Sequence, residues 1–187
     1  CVEHAGQLYL SPEVYWSVAH INAPGVIEQA RHSPDNRMGA FRNALAPYRK
    51  AGILLGLELE CDANGQLNLL DEDRGDWDIL LGGVHWIPDR FPKRREADYK
   101  KSFMRCTEDL VTSGIDVLVH PFRIFSGGRW TRPSELYRPV AELLKAHKVA
   151  AEVNCHHGPP DPAFFRICAE TGVRLVVGSD AHRMEQV

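Results

Sequence analysis

Short apolar runs alternate with amphipathic stretches along the chain. Ile53–Glu60, Ile79–His85, Val117–His120, Val149–Asn154 and Leu175–Gly178 are rich in Ile, Leu and Val. They are apolar at both odd and even positions, which predicts parallel strands covered on both faces rather than an antiparallel sheet with one wet face. Helical stretches lie between them. Ala97–Ser113 sets Tyr99, Phe103, Cys106 and Leu110 on one stripe, and Gly114 is placed to stop it. Ser134–His147 follows Pro133 and carries Leu136, Leu143 and Leu144, with Pro139 near its first turn, where proline is tolerated. Asp161-Pro162 is a cap followed by a proline at the first helical position; it opens a helix through Phe164–Thr171 that Gly172 closes. Asn36–Ala51 holds another helix, interrupted around Pro47, and Pro88–Arg95 reads as a basic, proline-containing loop. Repeated strand–helix–strand units with buried strands define an α/β fold, either a doubly wound sheet or a (β/α) barrel. In both, ligands bind at the carboxyl ends of the strands.

Composition narrows the function classes. The 187 residues are 44% hydrophobic and 25% charged, enough to bury the core of one domain. The formal net charge of -3 and pI of about 6.3 argue against a general nucleic-acid-binding face. No apolar run approaches the ~20 residues of a membrane span, and no charged-then-apolar leader opens the chain. Cys1, Cys61, Cys106, Cys155 and Cys168 are widely spaced, without a Cys-x-x-Cys pair. That pattern fits a reducing cytoplasm better than a disulfide framework or a thiolate zinc knot. The chain opens on Cys1 rather than Met and is read as a single domain over residues 1–187 whose start is missing.

Chemistry collects at the strand ends. Gly56-Leu57-Glu58 is followed by Glu60, Gly83-Val84-His85 and Val119-His120-Pro121 end in histidine, Glu152-Val153-Asn154 ends in a polar pair, and Gly178-Ser179-Asp180-Ala181-His182 ends in Asp-x-His. Alternate residues of a strand face the same way. Gly56, Glu58 and Glu60 therefore share a face, as do Gly83 with His85, Leu118 with His120, Glu152 with Asn154 and His156, and Gly178 with Asp180 and His182. A glycine below the polar residue leaves room where side chains converge. Imidazole and carboxylate without thiolate suit Zn²⁺, Mn²⁺ or Fe, and several of each point to more than one ion.

These motifs, together with Val2-Glu3-His4, resemble the PHP (polymerase and histidinol phosphatase) superfamily, and most closely its histidinol-phosphatase-like branch. Gly-Ser-Asp-Ala-His is the most specific of them, and the set runs in the family's order over almost the whole chain. The resemblance implies a distorted (β/α)7-type barrel, lacking its first strand in this chain, with two to three divalent ions at the strand ends. By motif, His4, Glu58, His85, His120, Asp180 and His182 are the implied ligands, with Glu58 bridging and Glu60 outside the ligand set. The family's first-strand His-x-His is absent here. Cys155-His156-His157 also departs from the family, and His156 is a candidate substrate contact.

The implied reaction is phosphomonoester hydrolysis by a metal-bridging hydroxide, with catalytic roles on Glu58, Asp180 and His182. Arg123, Arg129 and Arg183 are the candidate phosphate-holding cations, because guanidinium matches phosphate oxygens bidentately. Ser126-Gly127-Gly128 before Arg129 is placed to flex over substrate, and Trp86 and Trp130 are candidate pocket walls. The resemblance names histidinol phosphate; the residues alone specify a small phosphate ester. Two other readings stand beside it: a degenerate PHP module with a structural or regulatory role, and a PHP-type nuclease or nucleotide phosphoesterase. Amidohydrolase-like C–N hydrolysis is a further one, although no strand end offers the bridging lysine that family uses.

Overall fold

The computed structural model describes residues 1–156 and 159–182. Six strands form one sheet: β1 (Val2–His4), β2 (Gly56–Leu59), β3 (Ile79–Gly82), β4 (Val117–Leu118), β5 (Ala150–Asn154) and β6 (Leu175–Gly178). Every neighbouring pair is parallel, and the spatial order is the chain order, β1-β2-β3-β4-β5-β6. A doubly wound sheet reverses its strand order at a switch point. This one does not, and it curls into a half-barrel, an open α/β barrel-like fold. The described helices are α1 (Ala5–Tyr9), α2 (Pro12–Trp16), α3 (Ala19–Asn22), α4 (Val26–Gln29), α5 (Met38–Lys50), α6 (Asp71–Arg74), α7 (Glu96–Thr112), α8 (Tyr137–His147) and α9 (Pro162–Thr171). None of them is long and apolar enough to cross a membrane.

The helices start and stop where local chemistry requires. In α7, Phe103, Cys106 and Leu110 are buried and Tyr99 packs against the same core. Gly114 at φ 82 then takes the left-handed turn that ends it. Asp161 caps α9 by accepting from the Ala163 N–H, Pro162 takes the first turn, and Gly172 at φ 79 closes it. A 3-10 turn at Ser134–Leu136 runs into α8, with Pro139 in its first turn. The expected break at Pro47 does not occur, because α5 continues to Lys50. Asn43, whose carbonyl loses its partner to Pro47, lies on the exposed side of α5, where water can take that bond. A run of short helices between Ala5 and Gln29 had no legible sequence pattern.

The strands are shorter than their apolar runs. β3 ends at Gly82 and β4 at Leu118, so His85 and His120 lie just beyond the regular sheet. Ladder-like bonds persist for one more residue, from Gly83 N–H to Leu59 O (2.9 Å) and from Val119 N–H to Gly82 O (2.9 Å), before the chain turns away. Burial on both faces holds for β2, but β6 is an uncovered edge where Val177 is 88% exposed. Below the strand ends, Phe103, Phe122, Phe125, Tyr137 and Phe164 form an aromatic cluster, with Phe122 4.9–5.1 Å from the rings of Tyr137, Phe164 and Phe103.

Gly56 is the one strand glycine pressed against backbone. A Cβ there would come within 2.6 Å of the Ile79 carbonyl oxygen. Gly56→Ala should therefore force β2 and β3 apart and destabilise the fold by about 1–3 kcal/mol. Thermal unfolding checks this as a fall in Tm of roughly 2–4 °C for each kcal/mol. A Tm at the wild-type value would mean that the β2–β3 register is not tightly set.

Candidate metal centre

β2 and the residue just past its end present two carboxylates, Glu58 and Glu60, which are 9% and 2% exposed. Between them sits the His85 ring, brought in by the chain leaving β3. Its Nε2 is 3.0 Å from Glu58 Oε1 and its Nδ1 is 2.8 Å from Glu60 Oε1. His120, from the end of β4, places its Nε2 3.1 Å from the same Glu58 oxygen and 3.1 Å from His85 Nε2. Three potential ligand atoms thus form a triangle with sides of 3.0–3.1 Å. Ligand atoms about 2.0–2.1 Å from one tetrahedral ion stand roughly 3.3–3.4 Å apart. The triangle needs only a slight expansion to accept one, and Glu58, His85 and His120 are close enough together to bind a metal.

His4, Glu60 and His85 form a second group, with ligand atoms within 4.8 Å of one another. The rings of His4 and His85 are 5.3 Å apart, and His4 Nδ1 is a buried atom without a hydrogen-bond partner. A buried imidazole nitrogen left unsatisfied is costly, and an ion would satisfy it. The donor set is imidazole and carboxylate throughout, which suits Zn²⁺, Mn²⁺ or Fe.

Glycines make the space. A Cβ on Gly83 would come within 2.9 Å of both the His85 and the His120 rings, so the missing side chain is what lets the two imidazoles meet. The Glu152 carboxylate occupies the side-chain space of Gly178. From there its Oε2 accepts from the His120 backbone N–H (2.7 Å) and from Asn154 Nδ2 (3.1 Å). Glu152 thereby anchors a strained turn, since His120 has φ 31, and Asp180 has φ 49. Non-glycine residues at positive φ are strained, and such strain gathers at functional sites.

The remaining residues singled out in the sequence fall as follows. His4, His85, Arg123, Asp180 and His182 line one cavity of about 330 Å³, walled in part by Tyr15 and Trp86. His4 ends β1 and Asp180 lies just past β6, the opposite edge strands, so the curl of the sheet is what brings them to one space. His182 Nδ1 lies 2.8 Å from the Asp180 carbonyl oxygen, which makes Nδ1 the donor and Nε2 the ligand-type nitrogen. His156 stacks on His182 with centroids 5.6 Å apart. Arg129 is exposed and lies over the Trp130 ring at 4.6 Å, and it is not among the residues lining the cavity. Arg183 and His157 lie outside the described residues. Sequence reading missed His20 and Asn68, both bonded to Glu60 (2.9 and 3.2 Å), because neither stands at a strand end or in a motif.

The buried charges set each other's protonation. Burial pushes Glu60 up, but His20 and His85 outweigh it and hold its carboxyl down at about 2. Glu58 is likewise raised by burial and lowered further by His120 and His85, well below the usual carboxylate range. Burial would lower His85, yet contact with Glu58 and Glu60 raises it to about 9. No protein-family model and no curated protein sequence matches this chain.

These shifts fix how the metal-free protein responds to pH. His85, raised above its ordinary 6.5, contributes stability that is complete below about 6.5 and is lost as pH rises through about 9. Glu60, lowered from an ordinary 4.5, contributes above about 4.5 and loses that contribution as pH falls toward about 2. Thermal melts in chelator, from about pH 3 to 10, should show the highest Tm between roughly pH 4.5 and 6.5 and a decline on both sides. A Tm that rises from pH 6.5 to 9 would contradict the His85 arrangement.

Proposed function

We propose that the chain is a metal-dependent phosphomonoester hydrolase of the histidinol-phosphatase-like kind, built on a (β/α)7-type barrel and working with two to three divalent ions. The reading is supported above all by the triangle of Glu58 Oε1, His85 Nε2 and His120 Nε2, which needs only a slight expansion to hold one ion and shares His85 with a cavity that Arg123 also lines. Glu58, His85 and His120 would hold one ion, and His4, Asp180 and His182, on the wall of the adjoining cavity, the others. When bound, such ions supply positive charge for phosphoryl oxygens and lower the pKa of water toward neutrality.

The chain's own residues do the rest. Glu58, kept ionised by His120 and His85, brings a negative charge that favours a divalent cation at the triangle. Arg123, which lines the cavity together with Asp180 and His182, would take phosphate oxygens in a two-pronged contact. His156, stacked on His182, would approach the substrate from the β5 side. Tyr15, Trp16 and Trp86 line the same cavity, where they would limit water and favour a compact leaving group. Histidinol phosphate is the substrate to try first, on the strength of the sequence resemblance.

Purified protein stripped of metal and reloaded with Zn²⁺ or Mn²⁺ should release inorganic phosphate from histidinol phosphate or from a simple aryl phosphate. His120→Ala should cut kcat/KM by roughly 10²-fold or more and lower the metal content measured by mass spectrometry. Full metal loading without turnover of any phosphomonoester would overturn the phosphatase reading. Hydrolysis of a phosphodiester or a nucleic acid instead would move the chain to the nuclease class.

A further inference from the structure

We infer that His20, Glu60 and Asn68 are positioning residues for His85, a buried device that dictates which ring nitrogen His85 offers to an ion. The inference rests on the metal reading above.

Glu60 lies two residues past Glu58, with its side chain 3% exposed. Its Oε2 faces two donors: His20 Nε2 at 2.9 Å and Asn68 Nδ2 at 3.2 Å. Asn68 also clamps the Glu60 backbone, with Glu60 N–H donating to Asn68 Oδ1 (2.9 Å) and Asn68 N–H to the Glu60 carbonyl (2.9 Å). The turn that returns Asn68 to this spot is built by Asp62 Oδ1, which accepts from Asn64 N–H and Gln66 N–H. His20 arrives from α3, 40 residues earlier in the chain. Its ring is 1% exposed, stacked on Tyr15 (4.9 Å, 17°) and edge-on to Trp86 (6.2 Å, 85°). Packing on two sides sets the plane of that ring and so aims Nε2 at Glu60.

With Oε2 held, Oε1 points at His85 Nδ1, 2.8 Å away. The approach is close but off the line of a well-directed hydrogen bond, and neither buried atom has a hydrogen-bond partner elsewhere. A carboxylate only accepts, so Nδ1 must carry the proton. In the metal-free protein Nε2 carries a proton toward Glu58 as well, and an ion would take that proton's place, meeting the Nε2 lone pair where the triangle with Glu58 and His120 lies. Without Glu60 the ring is free to adopt the other tautomer, which would put an N–H bond where the ion belongs. Metal-bound imidazoles commonly donate their second nitrogen to a carboxylate in this way. What this chain adds is a second histidine and an asparagine that keep the carboxylate from turning.

The test is a calorimetric Zn²⁺ titration of metal-stripped protein for wild type, Glu60→Gln, His20→Ala and His20→Gln. It is paired with thermal melts of each metal-free variant and ring ¹⁵N spectra of His85 in the Zn²⁺-loaded protein. Glu60→Gln and His20→Ala should weaken Zn²⁺ binding about 10- to 100-fold at unchanged stoichiometry. His20→Gln, which keeps a donor toward Glu60, should recover most of that loss. In the wild type, His85 should show a protonated Nδ1 and a metal-bound Nε2. Wild-type affinity in Glu60→Gln overturns the inference, as does a metal-bound Nδ1. Loss of one whole equivalent in Glu60→Gln also overturns it, because Glu60 would then be a ligand beside His4. Loss of metal-free stability in His20→Ala with affinity intact reduces His20 to core packing. Failure of the wild type to bind Zn²⁺ removes the metal reading itself, whereas a wild type that binds alongside unaffected variants removes only the positioning role.

Discussion

Two buried carboxylates two residues apart, one at the end of a strand and one just past it, are the constraint around which the rest is arranged. Glu58 and Glu60 point to the same side of β2, almost out of reach of water. An ionised carboxylate in such a place is tolerable only if it is paired and hydrogen-bonded. The chain meets that requirement with imidazoles drawn from three other places: His20 in α3, His85 after β3 and His120 after β4. His85 serves both acids, one through each ring nitrogen. Removing one member of such a set leaves an uncompensated buried charge, a cost of about 3–5 kcal/mol in comparable cases. A cluster this demanding is hard to account for as scaffold alone, since apolar residues of similar volume fill a core at least as well.

Backbone strain sits at the same level of the sheet. His120 and Phe122 have φ 31 and 67, and Asp180 has φ 49. Each lies within a few residues of a strand's end, where the chain must leave the sheet and still aim a side chain inward. The His120–Phe122 turn is held from two sides. Glu152 accepts the His120 N–H, and Phe122 is 2% exposed amid Phe103, Tyr137 and Phe164. The aromatic core beneath the sheet therefore has a direct consequence for the site: it keeps the His120 ring from relaxing away from Glu58. Sequence, packing and chemistry meet in Val119-His120-Pro121-Phe122, where one residue makes the last ladder bond beyond β4, one is ligand-type, one limits the turn and one anchors it.

The parts legible in the sequence were those with a period. Five apolar runs marked five of the six strands, and Leu175–Gly178 matched to the residue because Gly172 and Asp180 bracket it. Alternation along the chain puts Glu58 and Glu60 on one face, and the recurring glycines mark room for converging side chains, which at Gly83 is where two imidazole rings meet. Val2–His4 was legible as a motif but not as a strand, since three residues carry no period. The Ala5–Gln29 helices escaped for the same reason, and His20 with them. Its role depends on stacking against Tyr15 and Trp86 and on a partner 40 residues away, relations that local sequence does not encode. Asn68 was hidden by a turn whose defining bond is a side-chain cap from Asp62.

The sheet's openness gives the cavity its last feature. β1 and β6 are opposite edges, yet His4 from the first and Asp180 and His182 from the second line one space. No backbone ladder joins those edges in the described residues, and β6 leaves Leu175, Val176 and Val177 uncovered. The two edges are therefore held in relation by the curl of the sheet and by whatever bridges the side chains at its mouth. An ion shared between ligands from both edges would tie them together, so its binding energy would count as folding energy for this half of the molecule. The same geometry explains why the chemistry concentrates at the mouth rather than along the sheet. It is the one place where residues far apart in strand order become neighbours, and where convergent polar groups gain from a common partner.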